Sequence, residues 1–302
     1  MQTAENLVTS QDDHSIIGYN ETGDGQPILF VPGSFSTAQA WRGFHNHLGE
    51  RFHCVSTCLR GYGETPETRS RDDFGIEHEI SIIRDAAERI GKPVHLVGHS
   101  FGATVALAAA LEGAVDALSI TTFEANPITL LGAVGRQDLQ DTAIWLTAQL
   151  EAAHDRGDAE ACSLVIDFWG QSGTFASMPE PFRAYCREKT FTNILDWRSA
   201  RSLEASALDY SRLNTPVLLV RGEHANPVMM GVTSALEKSL PNARTEVVAD
   251  AGHFLISTHV NDCIHLLECF LSEFADKDVE REATCGELSI TKARFARSRR
   301  HR

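Results

Sequence analysis

One serine stands among small residues in a way that could make it a nucleophile. Gly98-His99-Ser100-Phe101-Gly102 fits the pattern G-x-S-x-G, with an apolar run before it (Val94, Leu96, Val97) and an Ala-rich stretch of strong helix formers after it. Strand, sharp turn and helix in that order make a nucleophile elbow. A turn so tight forces the serine into a strained backbone conformation, so the positions two before and two after must lack bulk. It also lifts the Ser100 hydroxyl above the sheet. The Phe101 amide then opens the next helix, where partial positive charge can meet an oxyanion. The competing reading is a glycine-flanked serine in an ordinary tight turn; the strand–turn–helix setting favours the elbow.

Such a serine needs a buried sheet beneath it, and the flanking sequence supplies one. Residues 1–26 read as two strands with turns, Leu7-Val8-Thr9 and Ser15-Ile16-Ile17-Gly18-Tyr19, closed by Gly23-Asp24-Gly25. Pro27-Ile28-Leu29-Phe30-Val31 is a continuous apolar run, expected of a strand buried on both faces, and it ends in Pro32-Gly33-Ser34-Phe35-Ser36. A helix carrying Trp41, Phe44 and Leu48 and a strand Phe52-His53-Cys54-Val55-Ser56 follow. Over 75–90, Ile76, Ile80, Ile83, Ala87 and Ile90 form one apolar helical stripe. The elbow helix runs to about Gly113, and the strand Ala117 to Phe123 ends at Glu124. Strands resume at Pro216 to Gly222 and Thr245 to Val248, with helices near 228–239 and 260–275. Alternating strands and helices specify an α/β fold with a mainly parallel sheet covered on both faces. Residues 128–212 instead read as helices rich in aromatics. The expected organisation is a core of residues 1–127 and 213–275, a helical lid inserted at 128–212, and a charged, disordered tail at 276–302.

Bulk properties narrow the function classes. A chain of 302 residues can bury a sizeable core as one large α/β domain. With 41 acidic against 27 basic residues it offers no broad basic face, which argues against nucleic acid as a partner. No apolar stretch approaches membrane-spanning length, and Met1-Gln2-Thr3-Ala4-Glu5-Asn6 lacks the basic and apolar regions of a signal peptide. The 7 cysteines are odd in number and include no C-x-x-C pair, which suits reduced thiols. A cytoplasmic protein with no membrane partner is expected. Neither H-E-x-x-H nor a Cys/His cluster occurs, so no metal and no organic cofactor is expected.

Four motifs in order make the chain resemble the α/β-hydrolase superfamily over about residues 15–275: Val31-Pro32-Gly33-Ser34, Arg60-Gly61-Tyr62-Gly63-Glu64, the elbow, and Ala251-Gly252-His253. The resemblance implies an α/β-hydrolase sheet with an inserted helical lid, and a trio in the chain order Ser, acid, His. It singles out His253 from the 13 histidines as the base, because this family places its catalytic histidine after the last strand. The acid is where the chain departs from the family pattern. Many relatives carry an aspartate after the strand ending at Gly222, but here the loop reads Gly222-Glu223-His224-Ala225-Asn226-Pro227. Some members carry the acid at the end of the strand after the elbow helix. That makes Glu124 the first candidate, Glu223 the second and Asn226, as a neutral orienter, the third. By the same resemblance the oxyanion hole takes the amides of Phe101 and Ser34, with Pro32 standing where relatives usually have histidine. Arg60 is assigned to the framework and His99 to packing. The lid aromatics suggest an apolar roof, with Phe35, Phe101 and Trp169 as substrate contacts.

The expected activity is that of a serine hydrolase cleaving a small carboxylic ester, thioester or lactone through an acyl-enzyme. Amide or carbon–carbon hydrolysis uses the same trio and stays open. Epoxide and haloalkane hydrolases carry an aspartate where Ser100 stands. The reading from a different class is a low-turnover ligand-binding protein on a hydrolase scaffold. The expected partner is a small, partly apolar molecule, and the expected assembly is a monomer or homodimer.

Overall fold

A computed structural model describes residues 8–9 and 16–274; the charged tail expected at 276–302 lies outside the described residues. The chain divides into two units, Met1–Cys263 and Ile264–Arg302. In the second, Phe270 and Phe274 meet edge-on with ring centroids 5.3 Å apart. The sheet and the site described below belong to the first.

Its strands are β1 (Val8–Thr9), β2 (Ile16–Ile17), β3 (Tyr19–Thr22), β4 (Gln26–Val31), β5 (Phe52–Thr57), β6 (Val94–His99), β7 (Ala117–Phe123), β8 (Val217–Gly222) and β9 (Ala243–Val248). β1 and β2 pair as a small antiparallel ribbon, and the other seven form one sheet in the order β3-β5-β4-β6-β7-β8-β9. Only the β3–β5 pairing in that sheet is antiparallel. The sequence run ending at Tyr19 reads as one strand, but in the structure it breaks at Gly18. A side chain there would stand 3.1 Å from the Cys58 sulfur, just beyond the end of β5, and the Gly18 carbonyl accepts from the Cys58 amide where the chain passes from the β1–β2 ribbon to the pairing with β5.

The order of strands locates the site before any side chain is considered. β5 lies on one side of β4 and β6 on the other, so the winding reverses between β4 and β6. Connections leaving neighbouring strands in opposite directions open a crevice at the strands' carboxyl ends. The loops beginning at Pro32 and Ser100 lie at that crevice.

Helices α1 (Arg42–Leu48), α2 (Glu77–Ile90) and α3 (Phe101–Leu111) connect the first half of the sheet. From Phe101 to Ala109 every residue of α3 is buried, which explains its run of alanine and valine in place of an amphipathic pattern. Trp41, Phe44, Phe30 and Phe123 form a buried aromatic cluster with neighbouring ring centroids 4.9 to 6.1 Å apart. Between β7 and β8 the chain forms α4 (Thr129–Ala133), α5 (Gln137–Asp155), α6 (Cys162–Trp169), α7 (Thr174–Ser177), α8 (Glu180–Glu188), α9 (Thr190–Ser202) and α10 (Ala207–Tyr210). α11 (Pro227–Ser239), α12 (Leu255–Thr258) and α13 (Val260–Ser272) complete the described chain. Among the described residues, no helix is long and apolar enough to cross a membrane, and the six cysteines are free thiols.

Candidate active site

The backbone is strained where the sheet meets this crevice. Among the described residues, four that are not glycine take positive φ: Phe35 (56°), Ser100 (53°), Glu124 (52°) and Asp250 (57°). They stand on the loops that follow β4, β6, β7 and β9 respectively. Such conformations cost about 1–3 kcal/mol each and persist where the surroundings over-determine them.

At the elbow, Ser100 adopts φ 53° and ψ −124° between β6 and α3. Both flanking glycines are required by close backbone approach. A Cβ on Gly98 would lie 2.5 Å from the Ala103 Cα, and one on Gly102 would lie 2.2 Å from the Pro32 carbonyl oxygen. The second contact also fixes the loop after β4 against the elbow. Phe101 is the first residue of α3, so its amide belongs to the helix's unpaired amino-terminal donors.

Three side chains from three loops converge in one chain of hydrogen bonds. His253 Nε2 lies 3.1 Å from Ser100 Oγ, and His253 Nδ1 lies 2.7 Å from Glu124 Oε2. A carboxylate can only accept, so Nδ1 carries the ring proton and Nε2 presents a lone pair to the Ser100 hydroxyl. The other Glu124 oxygen, Oε1, accepts from the Gly222 amide at 2.8 Å. All three residues are buried. Burial by itself would raise the Glu124 carboxyl. The hydrogen bond from His253, the attraction of its ring when protonated, and the Gly222 amide outweigh it and hold the group below its ordinary value.

His99 does more than pack. Its Nε2–H donates to the backbone carbonyl of His253 at 2.9 Å, tying the His253 backbone to the elbow. Burial pushes the His99 ring down to about 3, so it is neutral near pH 7 and adds no charge beside His253. Arg60 is framework, as expected: its side chain donates to the His78 carbonyl at 3.4 Å and the Ser81 hydroxyl at 3.2 Å, on α2.

The other two acid candidates are engaged elsewhere. Glu223 Oε2 accepts from the Asp250 amide at 3.0 Å, in an exposed group with His224 and Asp250. Asn226 caps α11 by accepting from the Val228 amide at 2.9 Å and donates to the Phe168 carbonyl at 2.8 Å. Asn126, next to the strand end, is bound to Thr104 at 2.6 and 2.9 Å and steadies the loop that carries Glu124.

A cavity of about 490 Å³ opens over Ser100 and His253. Phe35 and Ala40 line it from the loop side, and Ile166, Met178, Phe182 and Tyr185 from the helices between β7 and β8. No lining side chain is an Asp, Glu, Lys or Arg. Trp169, expected as a substrate contact, is not among the residues lining this cavity. At the end of α6 it stacks on Trp197 (5.5 Å between centroids) and lies 5.8 Å from the His253 ring. Ile166, one turn earlier on α6, takes the lining position. Phe101 is buried beneath the elbow and also stands outside the lining.

Sequence reasoning missed a second buried cluster touching the Ser34 loop. Asp196 on α9 accepts from Ser34 Oγ and from Tyr62 OH, each at 2.6 Å. Its other oxygen pairs with Arg69 at 2.9 Å, and Arg69 also pairs with Glu79 at 2.9 Å and Glu67 at 2.8 Å. The available signal was α9 itself, buried along most of its length yet carrying an aspartate in its middle. A buried charge must have a partner.

A family model described as alpha/beta hydrolase family matches residues 28–262. An uncharacterized protein of Mycobacterium tuberculosis is 23% identical over 278 residues, covering 86% of this chain and 80% of its own. Monoacylglycerol lipase abhd6-B of Xenopus laevis is 22% identical over 278 residues, covering 85% and 78%. Among solved structures, a putative alpha/beta hydrolase from Nostoc sp. PCC 7120 superposes with a TM-score of 0.72 at 20% identity, covering 89% of this chain and 98% of that one.

Proposed function

The chain belongs to the alpha/beta hydrolase family, and on that premise we propose that it is a serine hydrolase cleaving a small, uncharged carboxylic ester, thioester or lactone through an acyl-enzyme. The observation that carries this reading is the relay Ser100–His253–Glu124, at 3.1 and 2.7 Å, opening onto an uncharged cavity.

In this reading Ser100 Oγ attacks the substrate carbonyl carbon while its proton passes to His253 Nε2. Negative charge develops on the carbonyl oxygen, towards the amides of Phe101 and Ser34. Glu124 faces the imidazolium that forms and keeps the ring in the productive tautomer. His253 then returns the proton to the leaving alcohol, thiol or lactone oxygen, and the acyl group stays on Ser100. Water, deprotonated by the same imidazole, releases the acid and restores the serine. Apolar side chains such as Phe35, Ile166 and Met178 favour an apolar acyl group, and the lack of a countercharge disfavours a charged one. The name of the Xenopus relative, a monoacylglycerol lipase, fits ester chemistry of this kind. A cytoplasmic location is part of the proposal and rests on the free cysteines.

A fluorophosphonate probe tests the reading directly, followed by p-nitrophenyl esters of graded acyl length and a lactone panel. The expected outcome is one label on Ser100, lost in Ser100→Ala together with about 10⁶-fold of the esterase kcat. Unlabelled native protein would overturn it in favour of a ligand-binding role.

A further inference from the structure

The loop that supplies the second oxyanion amide is held by a residue far away in sequence. Asp196 lies in the middle of α9, away from both helix ends, so it caps nothing. Its Oδ2 accepts two O–H bonds, from Ser34 and Tyr62, both at 2.6 Å, a length typical of bonds to a charged oxygen. Two donors on Oδ2 leave no place for a proton on that oxygen, and the Arg69 guanidinium 2.9 Å from Oδ1 favours the anion against burial. Oδ1 forms an ion pair at 2.9 Å with Arg69, whose side chain is fully buried.

Ser34 and Phe35 need such a grip. Phe35 holds φ 56°, a strained conformation for a bulky residue. Ser34, its neighbour in the turn, is bound to Asp196 directly, and the same carboxylate oxygen holds Tyr62. The preceding Gly33 lies against the elbow: a Cβ there would meet the Ser100 Cβ and His99 Nδ1, each at 3.0 Å. With so little clearance, a shift of the turn is felt at the nucleophile.

We propose that Asp196 is a positioning residue for the oxyanion loop: a carboxylate from the helical insertion that fixes the Ser34–Phe35 turn and so couples the insertion to the reacting centre. The inference rests on the serine-hydrolase reading above. Asp196 acts through Ser34 and Tyr62, and its effect belongs to the transition state, where the oxyanion forms. Displacing an oxyanion donor without deleting it costs less than the 10²–10³-fold typical of losing one, about 10- to 100-fold.

The test uses the full chain with Asp196→Asn and Ser34→Ala, alone and combined, with active sites counted by fluorophosphonate titration. Asp196→Asn is expected to lower kcat per titrated site about 10- to 100-fold with KM moved less than about threefold. An alkylboronic acid, which mimics the tetrahedral intermediate, should weaken by the same factor, while a competing product alcohol keeps its affinity. Ser34→Ala should do the same to a smaller extent, and the double variant should be no worse than Asp196→Asn alone. A merely structural role would lower the number of titrated sites and leave boronate affinity per site unchanged; that result overturns the inference, as do effects that multiply in the double variant. If Asp196→Asn does not fold, Ser34→Ala and Tyr62→Phe carry the boronate comparison: weakened boronate binding supports the inference and unchanged binding overturns it. Absence of labelling in the unmodified protein removes the hydrolase reading and this inference together; normal labelling with unmoved boronate affinity removes this inference alone.

Discussion

Two buried carboxylate clusters flank the same loop and are driven in opposite directions. Glu124 faces one imidazole and one backbone amide, and these outweigh burial to hold its carboxyl low. Asp196, Glu79 and Glu67 share a single guanidinium, that of Arg69. There burial wins: Asp196 is raised, and Glu79 is pushed up to about 7, while Arg69 is driven above its ordinary value because the carboxylates outweigh its own burial. Burial acts on Glu124, Asp196 and Glu79 alike; it is outweighed at Glu124, it prevails at Asp196 despite three donors, and at Glu79 the neighbouring charges of Asp196 and Glu67 reinforce it. The consequence is a division of labour. The first cluster keeps a carboxylate behind the His253 ring, at the cavity that opens over Ser100. The second, sealed, binds the insertion to the framework and to the loop.

The largest effect that could break this contrast is Glu124→Gln. If the charge of Glu124 matters as proposed, kcat falls about 10⁴-fold, as when a triad carboxylate is neutralised elsewhere, while Glu223→Gln changes little. Steady-state kinetics on one ester decide it, and the reverse pattern would move the acid to Glu223.

Stability against pH sharpens the contrast further, because the two clusters have opposite slopes. The depressed Glu124 contributes stability above its unfolded value of 4.5, and this is lost as pH falls through its lower folded value. The raised Glu79 contributes below 4.5, and its share is lost as pH rises towards 7. A single such group sets a slope of at most about 1.4 kcal/mol per pH unit. Urea unfolding between pH 4.5 and 7 should therefore show Glu79→Gln gaining on the unmodified protein as pH rises. A constant difference across that window would mean that Glu79 stays ionised. Below it, Glu124→Gln should lose less stability on acidification than the unmodified protein does.

The smallest expected effect is at the roof. Phe182 on α8 lines the cavity yet is 40% exposed, so Phe182→Ala removes apolar contact without touching either cluster. KM for a long-chain ester should rise about threefold, roughly the worth of a methylene-sized loss of apolar contact, with kcat unchanged. A fall in kcat instead would place Phe182 in the transition state's surroundings.

Much of this was legible in the chain itself. The elbow could be read because its constraints are local: Gly98 and Gly102 are needed by backbone atoms that the turn brings close. Glu124 could be ranked ahead of Glu223 because the family resemblance offers the end of the strand after the elbow helix as a place for the acid; its contacts with His253 and Gly222 came from the fold. Asp196 could not be read as a partner of Ser34, since 162 positions separate them and helical periodicity says only that one face is buried. Trp169 was misplaced for a related reason. A one-turn difference on α6 separates a residue over the cavity from one against His253, and α6 has apolar residues in both positions.

The sequence by itself determined the α/β alternation, the strained serine and the residue types available for a nucleophile, a base and an acid. These follow from forces between near neighbours: apolar periodicity, turn sterics and the intolerance of bulk at a tight bend. Only the tertiary structure decided which carboxylate faces His253 and which aromatic side chains line the cavity. It alone brought an aspartate from α9 to hold the loop after β4. A buried charge is satisfied by whatever the packing of distant elements brings within about 3 Å, and no local pattern specifies that partner.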